Sequence, residues 1–137
     1  MAFTQPSFIR KNTPELRKKL KELGYEFNGA DHIELDCIVT FPHHDTFGVF
    51  TAYHFNIYDD SFKTVWKGYI DCGTNEELFL ALAALRDDSD YMQWFVTEKD
   101  EWVKCEREHF YQEHLTKTWR TWHKATVEEI IEYFKDK

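Results

Sequence analysis

From Phe47 to Tyr58 the chain reads FGVFTAYHFNIY, and its side chains alternate with a period of two. Phe47, Val49, Thr51, Tyr53, Phe55 and Ile57 fall on one face, and Phe50, Ala52, His54, Asn56 and Tyr58 on the other. Successive side chains of a strand point to opposite sides, whereas a helix repeats every 3.6 residues, so this stretch excludes a helix and demands a sheet with one face on a core. We expect the odd-numbered set to meet the core and 47–58 to be the central strand.

Further strands are expected at about 35–41, 62–71, 91–97, 101–106 and 115–123, with SFIRK as an added edge strand. PHHDT, DDS and EKDE are links of hairpin length. No crossover helices separate these strands, which argues against a parallel nucleotide-binding sheet.

Three helix starts accompany the strands. In KNTPELRKKLKELGY, Thr13 is placed to cap, Pro14 suits the first helical position, Leu16, Leu20 and Leu23 form one stripe, and Gly24 supplies the stop. In GTNEELFLALAALRDD, Thr74 and Glu77 have capping-box spacing, and residues 78–85 are apolar almost all round. In KATVEEIIEYFKDK, Thr126 and Glu129 repeat the box, and Val127, Ile130, Ile131 and Phe134 form a face. The expected fold is α+β: an antiparallel sheet of about six strands with three helices packed mainly on one face, residues 1–137 forming a single domain. A chain of 137 residues is long enough to bury a core without staples.

The formal net charge is −8, yet it is unevenly placed. Residues 1–21 hold six basic residues against Glu15, a local +5, which leaves −13 on the remainder. An acidic surface repels a phosphate backbone, so nucleic-acid binding is disfavoured except through the basic first helix, by way of Arg10, Lys11, Arg17, Lys18 and Lys21. Cys37, Cys72 and Cys105 are widely spaced, odd in number and without a CxxC pair, as expected of reduced thiols in a cytoplasmic protein. No segment approaches the roughly 20 apolar residues of a membrane span, so no membrane partner is expected.

The candidate chemistry is sparse. FPHHDTFGVF places His43, His44 and Asp45 together, and His32 and His54 are within reach in sequence, the ligand types of a zinc or iron site. Adjacent histidines on an extended chain point apart, however, so His43 and His44 do not readily share one ion, and a hairpin loop explains the stretch. Glu106 and His109 have the Glu-x-x-His spacing of carboxylate-bridged centres, without the second such motif those centres need. The chain has no GxSxG elbow, no GxxxxGK[ST] loop and no GxGxxG turn.

Aromatic residues make up 18% of the chain, more than a core of this size consumes, and Tyr and Trp give large contact areas that tolerate water. The expected function is therefore non-enzymatic: binding a protein partner, a second copy or a small ligand through His54, Asn56, Tyr58, Tyr69 and Trp122, with no cofactor. The alternatives are a metal-dependent enzyme or sensor built on His32, His43, His44, His54 and Asp45, and nucleic-acid contact through the first helix. FIRKNTPELRKKLKELGY and WHKATVEEIIEYFK resemble the two ends of small uncharacterised accessory proteins of gut Bacteroidetes and their prophages or mobile elements. That resemblance implies a bacterial cytoplasmic accessory role and carries no catalytic or binding positions.

Overall fold

The computed structural model describes residues 3–28, 35–41, 48–53, 67–86, 92–105 and 123–135. In chain order these form β1 (Ser7–Ile9), α1 (Pro14–Glu22), β2 (Glu26–Phe27), β3 (Cys37–Phe41), β4 (Val49–Tyr53), β5 (Ile70–Asp71), α2 (Glu76–Ala83), β6 (Trp94–Val96), β7 (Trp102–Lys104), β8 (His123–Lys124) and α3 (Val127–Phe134).

The first helix forms as its local chemistry requires. Thr13 Oγ1 accepts the Leu16 N–H at 3.1 Å, and Pro14 occupies the first turn, where its missing N–H costs nothing. At the other end Gly24 adopts a φ of 107°, letting the Tyr25 N–H reach Leu20 O at 3.0 Å and its own N–H reach Lys21 O at 3.0 Å. That is a Schellman stop, which glycine enters without a Cβ penalty. Leu16, Leu20 and Leu23 are buried as a stripe.

The cap of α2 is Asn75, not Thr74. Asn75 has extended backbone angles, and its Oδ1 accepts the Leu78 N–H at 3.1 Å. Its other amide atom, Nδ2, donates to the Phe134 carbonyl at the end of α3, at 2.5 Å. The Asn75 amide thereby joins the start of α2 to the end of α3, and Thr74 is exposed. Leu78, Phe79, Ala81, Leu82 and Ala83 are all buried, because α1, α3 and β1 pack around this helix.

The box on α3 forms as read: Thr126 Oγ1 accepts the Glu129 N–H at 3.2 Å, and Glu129 Oε1 accepts the Thr126 N–H at 3.0 Å. Ile130 and Phe134 are buried, but Ile131 is exposed, so the apolar face is narrower than the sequence pattern.

The architecture is α+β with three helices and two sheets among the described residues, rather than one antiparallel sheet of six strands. The larger sheet has the order β2-β4-β3-β1-β5 and is mixed: β3 pairs antiparallel with β1 and β4, while β5 runs parallel to β1 and β2 parallel to β4. The smaller, β7-β6-β8, is antiparallel. SFIRK supplies an inner strand instead of an edge, since Ser7, Phe8 and Ile9 are all buried between β3 and β5. A continuous buried run is what a strand covered on both faces carries. The Ser7 N–H donates to Thr40 Oγ1 at 3.2 Å, which satisfies a polar group inside the sheet.

The middle position belongs to β3, and β4 lies next to the edge strand β2. Over the described part of 47–58, Phe50 and Ala52 face the core, Val49 and Thr51 are half-buried, and Tyr53 is 44% exposed. The two faces are therefore opposite to the expected ones. Both carry aromatic rings, and alternation sets the period of a strand without setting its phase. Phe50 is fixed inward by stacking on Phe27, with centroids 4.9 Å apart. Phe47, His54, Phe55, Asn56, Ile57 and Tyr58 lie outside the described residues.

Two stability contrasts follow. Phe50→Ala should cost about 3–5 kcal/mol, as expected for a fully buried ring, and Tyr53→Ala about 1 kcal/mol or less, both read from urea unfolding midpoints. Equal costs would mean that the inward face has been misassigned. Asn75→Ala should lose about 1–2 kcal/mol, against about 0.5 kcal/mol or less for Thr74→Ala.

Candidate binding cleft

Residues Thr97 to Glu101 turn the chain from β6 into β7. Thr97 Oγ1 accepts the Lys99 N–H at 3.2 Å and the Glu101 N–H at 3.1 Å, and Asp100 adopts a left-handed φ of 61° that lets the turn close. This turn sets the register Trp94↔Lys104 and Val96↔Trp102. Opposed residues share a face, so Trp94, Val96, Trp102 and Lys104 lie on one side of the hairpin and Phe95 and Val103 on the other. Phe95 and Val103 pack with Cys105 in a small separate cluster.

Helix α3 docks its last turn on the tryptophan side. Tyr133 stacks on Trp102 at 4.0 Å and 14°, and Phe134 meets Trp94 edge-on at 5.4 Å. Aromatic pairs in stacked or edge geometry add to simple area burial, so this layer is held in place by its own contacts. Against it, the C-terminal turn of α1 and the outer side of α2 leave a cleft of about 450 Å³. Its floor is apolar: Leu80 and Ala81 from α2, Leu23 after α1, Met92, Trp94 and the Tyr133–Phe134 pair. Leu80, Met92, Trp94 and Tyr133 are only half-buried, although each packs on the core.

Charges of both signs ring the mouth. Lys19 and Glu22 come from α1, Glu77 from α2, and Lys104 from β7. Lys19 is already engaged: Glu76 Oε1 lies 2.9 Å from Lys19 Nζ, and Glu76 Oε2 lies 2.9 Å from Lys11 Nζ. Among the described residues Glu22, Glu77 and Lys104 make no ion pair, and the Trp94 indole N–H has no acceptor.

Of the residues singled out in the sequence, Tyr69 is described and lies elsewhere. It is half-buried, meets Phe41 edge-on at 6.2 Å, and burial raises the pKa of its hydroxyl. His54, Asn56, Tyr58 and Trp122 lie outside the described residues, as do His32, His43, His44, Asp45, Glu106 and His109. His123 is described: its Nε2 sits 3.0 Å from both carboxylate oxygens of Glu129, bracing the cap of α3. Among the described residues no three His, Cys, Asp or Glu side chains converge as a metal would require. The three cysteines are free and buried, and burial pushes the Cys72 thiol well above its ordinary range, which keeps it protonated and unreactive.

Sequence reasoning missed Trp94, Trp102, Tyr133 and Lys104 as site residues. The hairpin itself was visible as two aromatic-rich strands around EKDE. A turn of this length already brings Trp94 and Trp102 onto one face, but the docking of α3 has no local signature. No known protein family, curated protein or solved structure matches this chain.

Glu76 gives the rim a pH dependence. Hydrogen bonds from Lys11 and then Lys19 hold its carboxyl below the ordinary 4.5. A carboxyl with a lowered folded-state pKa stabilises the fold above its unfolded pKa and loses that contribution as pH falls through the folded value. Glu76→Gln should therefore cost about 1 kcal/mol at pH 7, the scale of a partly exposed pair of ion pairs. The difference from the unsubstituted protein should shrink as pH is lowered below about 4.5 in urea titrations. A difference that stayed constant down to pH 3 would rule out the charge as its cause.

Proposed function

We propose that this protein is a non-enzymatic binding module whose cleft between α1, α2, α3 and the β6–β7 hairpin holds a small, largely apolar ligand. One observation carries the reading: a cleft of about 450 Å³ has an aromatic and aliphatic floor that the core leaves half-exposed. Small-molecule sites are concave and mostly apolar, with few polar groups at the margin, and run from about 300 to 1,000 Å³. The burial of all three cysteines and the lack of a metal-holding cluster among the described residues support binding over catalysis. An accessory role in the bacterial cytoplasm fits reduced cysteines and an acidic surface. Among the described residues no helix is long and apolar enough to cross a membrane.

The basic first helix supports nucleic-acid contact less well than its sequence does. Arg10 pairs with Asp71, and Lys11 and Lys19 both pair with Glu76, so half of the six cations are engaged within the fold. Phosphate contact through Arg10, Lys11 or Lys19 would have to compete with those pairs.

The uncharged dye N-phenyl-1-naphthylamine tests the proposal, because its emission rises in apolar sites. It should bind the native protein saturably, and Leu80→Arg, which fills the floor from a half-buried position, should weaken binding by at least about tenfold. Circular dichroism checks that the variant folds. Unchanged binding to a folded Leu80→Arg protein would exclude the cleft.

A further inference from the structure

We infer that the ligand of this cleft is a short apolar peptide with both ends free, its ammonium lying toward Glu22 and Glu77 and its carboxylate toward Lys104. The inference rests on the binding reading above and adds the ligand's charge pattern. It starts from the placement of the rim charges. The helical wall bears two carboxylates and the sheet wall one ammonium, and none of the three makes an ion pair among the described residues.

Lys19 does not cancel the helical wall, because Glu76 holds it at 2.9 Å. Glu22 is the last residue of α1, where the helix dipole adds negative potential to its own charge. A cation arriving there is doubly favoured. Glu77 stands in the first turn of α2 and lines the same cleft. Across the cleft, Lys104 closes the hairpin opposite Trp94 in the strand register.

The mouth thus carries a field running from carboxylates to an ammonium, over an apolar floor. An anionic amphiphile would meet Glu22 and Glu77 with repulsion, and a cationic one would meet Lys104. A neutral apolar ligand would cover all three charges without replacing their water, which is costly for an ion. A zwitterion with apolar side chains answers both signs and the floor together. The Trp94 indole N–H, with no acceptor among the described residues, is placed in the same lining to donate to a peptide carbonyl. The volume of about 450 Å³ is at the small end of the range for ligand sites, which suits two or three residues rather than a folded partner's surface.

Calorimetric titration of the full chain with the dipeptide Leu-Phe, its N-acetyl form, its C-terminal amide and the doubly blocked form tests this directly. Leu-Phe should bind most tightly, with each block weakening binding by about tenfold, as loss of a charge-assisted contact does. Lys104→Met should abolish the preference for the free carboxylate and leave the preference for the free amine. The Glu22→Gln, Glu77→Gln double variant should do the reverse. Equal binding of all four peptides would overturn the charge assignment while leaving the apolar cleft in place. The charge assignment also falls if no peptide binds at millimolar concentration while the naphthylamine dye still does. If neither peptide nor dye binds, the binding reading falls with it.

Discussion

Beyond Glu76 and Glu77 in its first turn, helix α2 has no polar side chain to give to water. Leu78, Phe79, Ala81, Leu82 and Ala83 are buried and Leu80 is half-buried, in a helix only eight residues long, which could not stand alone. Its enclosure organises what surrounds it: α1 on one flank, α3 on another, β1 beneath. One cluster of buried side chains accordingly runs from Phe3 through both flanking helices to Phe134. Asn75 makes that enclosure specific. A single amide caps the start of α2 and fastens the end of α3, so α3 cannot dock in another register without orphaning a polar group. At the far end of α2, Tyr25 donates its hydroxyl hydrogen to the Ala83 carbonyl at 2.9 Å and stacks its ring on Phe3 at 4.0 Å.

The cleft is where this wrapping stops short. The position of α3 is set by Asn75 at its C-terminal end and by the tryptophans of the β6–β7 hairpin under Tyr133 and Phe134. With those anchors in place, Leu80 on α2 remains half-buried and lines the cleft together with Trp94, Tyr133 and Phe134. Asn75, which fastens two helices, stands outside the cleft lining, whereas Lys19, Trp94, Tyr133 and Phe134 both hold elements together and line it.

What was legible beforehand follows the range of the interactions involved. Thr13, Pro14 and Gly24, and the Thr126–Glu129 box, act on backbone groups a few residues away, and each does what its spacing implies. Thr74 has the capping-box spacing, yet the cap is Asn75, whose amide also meets a carbonyl 59 residues away. The phase of β4 was equally undetermined, since its inward ring is selected by a stacking partner in β2. SFI looked like an edge because its two neighbours, β3 and β5, come from distant parts of the chain. The cleft was the least legible feature. It arises from the relative placement of four elements, and no run of residues encodes a gap.

The basic island near the N-terminus shows the same distinction between a pattern and its use. Read along the chain, six cations within 21 residues suggest an outward-facing surface for anions. In the fold, the anions that meet three of them are its own: Asp71 after the parallel pairing of β5 with β1, and Glu76 at the start of α2. Glu76 is doubly placed, since a carboxylate in the first turn also answers the helix dipole. Arg17 turns back to Asn12, whose side-chain amide donates to the Leu35 carbonyl at 2.8 Å. Strong local charge of one sign, on a chain of opposite net charge, thus becomes internal fastening between segments that are distant in sequence. Among the described residues, those at the mouth of the cleft that make no ion pair, Glu22, Glu77 and Lys104, are mixed in sign and set beside the half-exposed apolar floor.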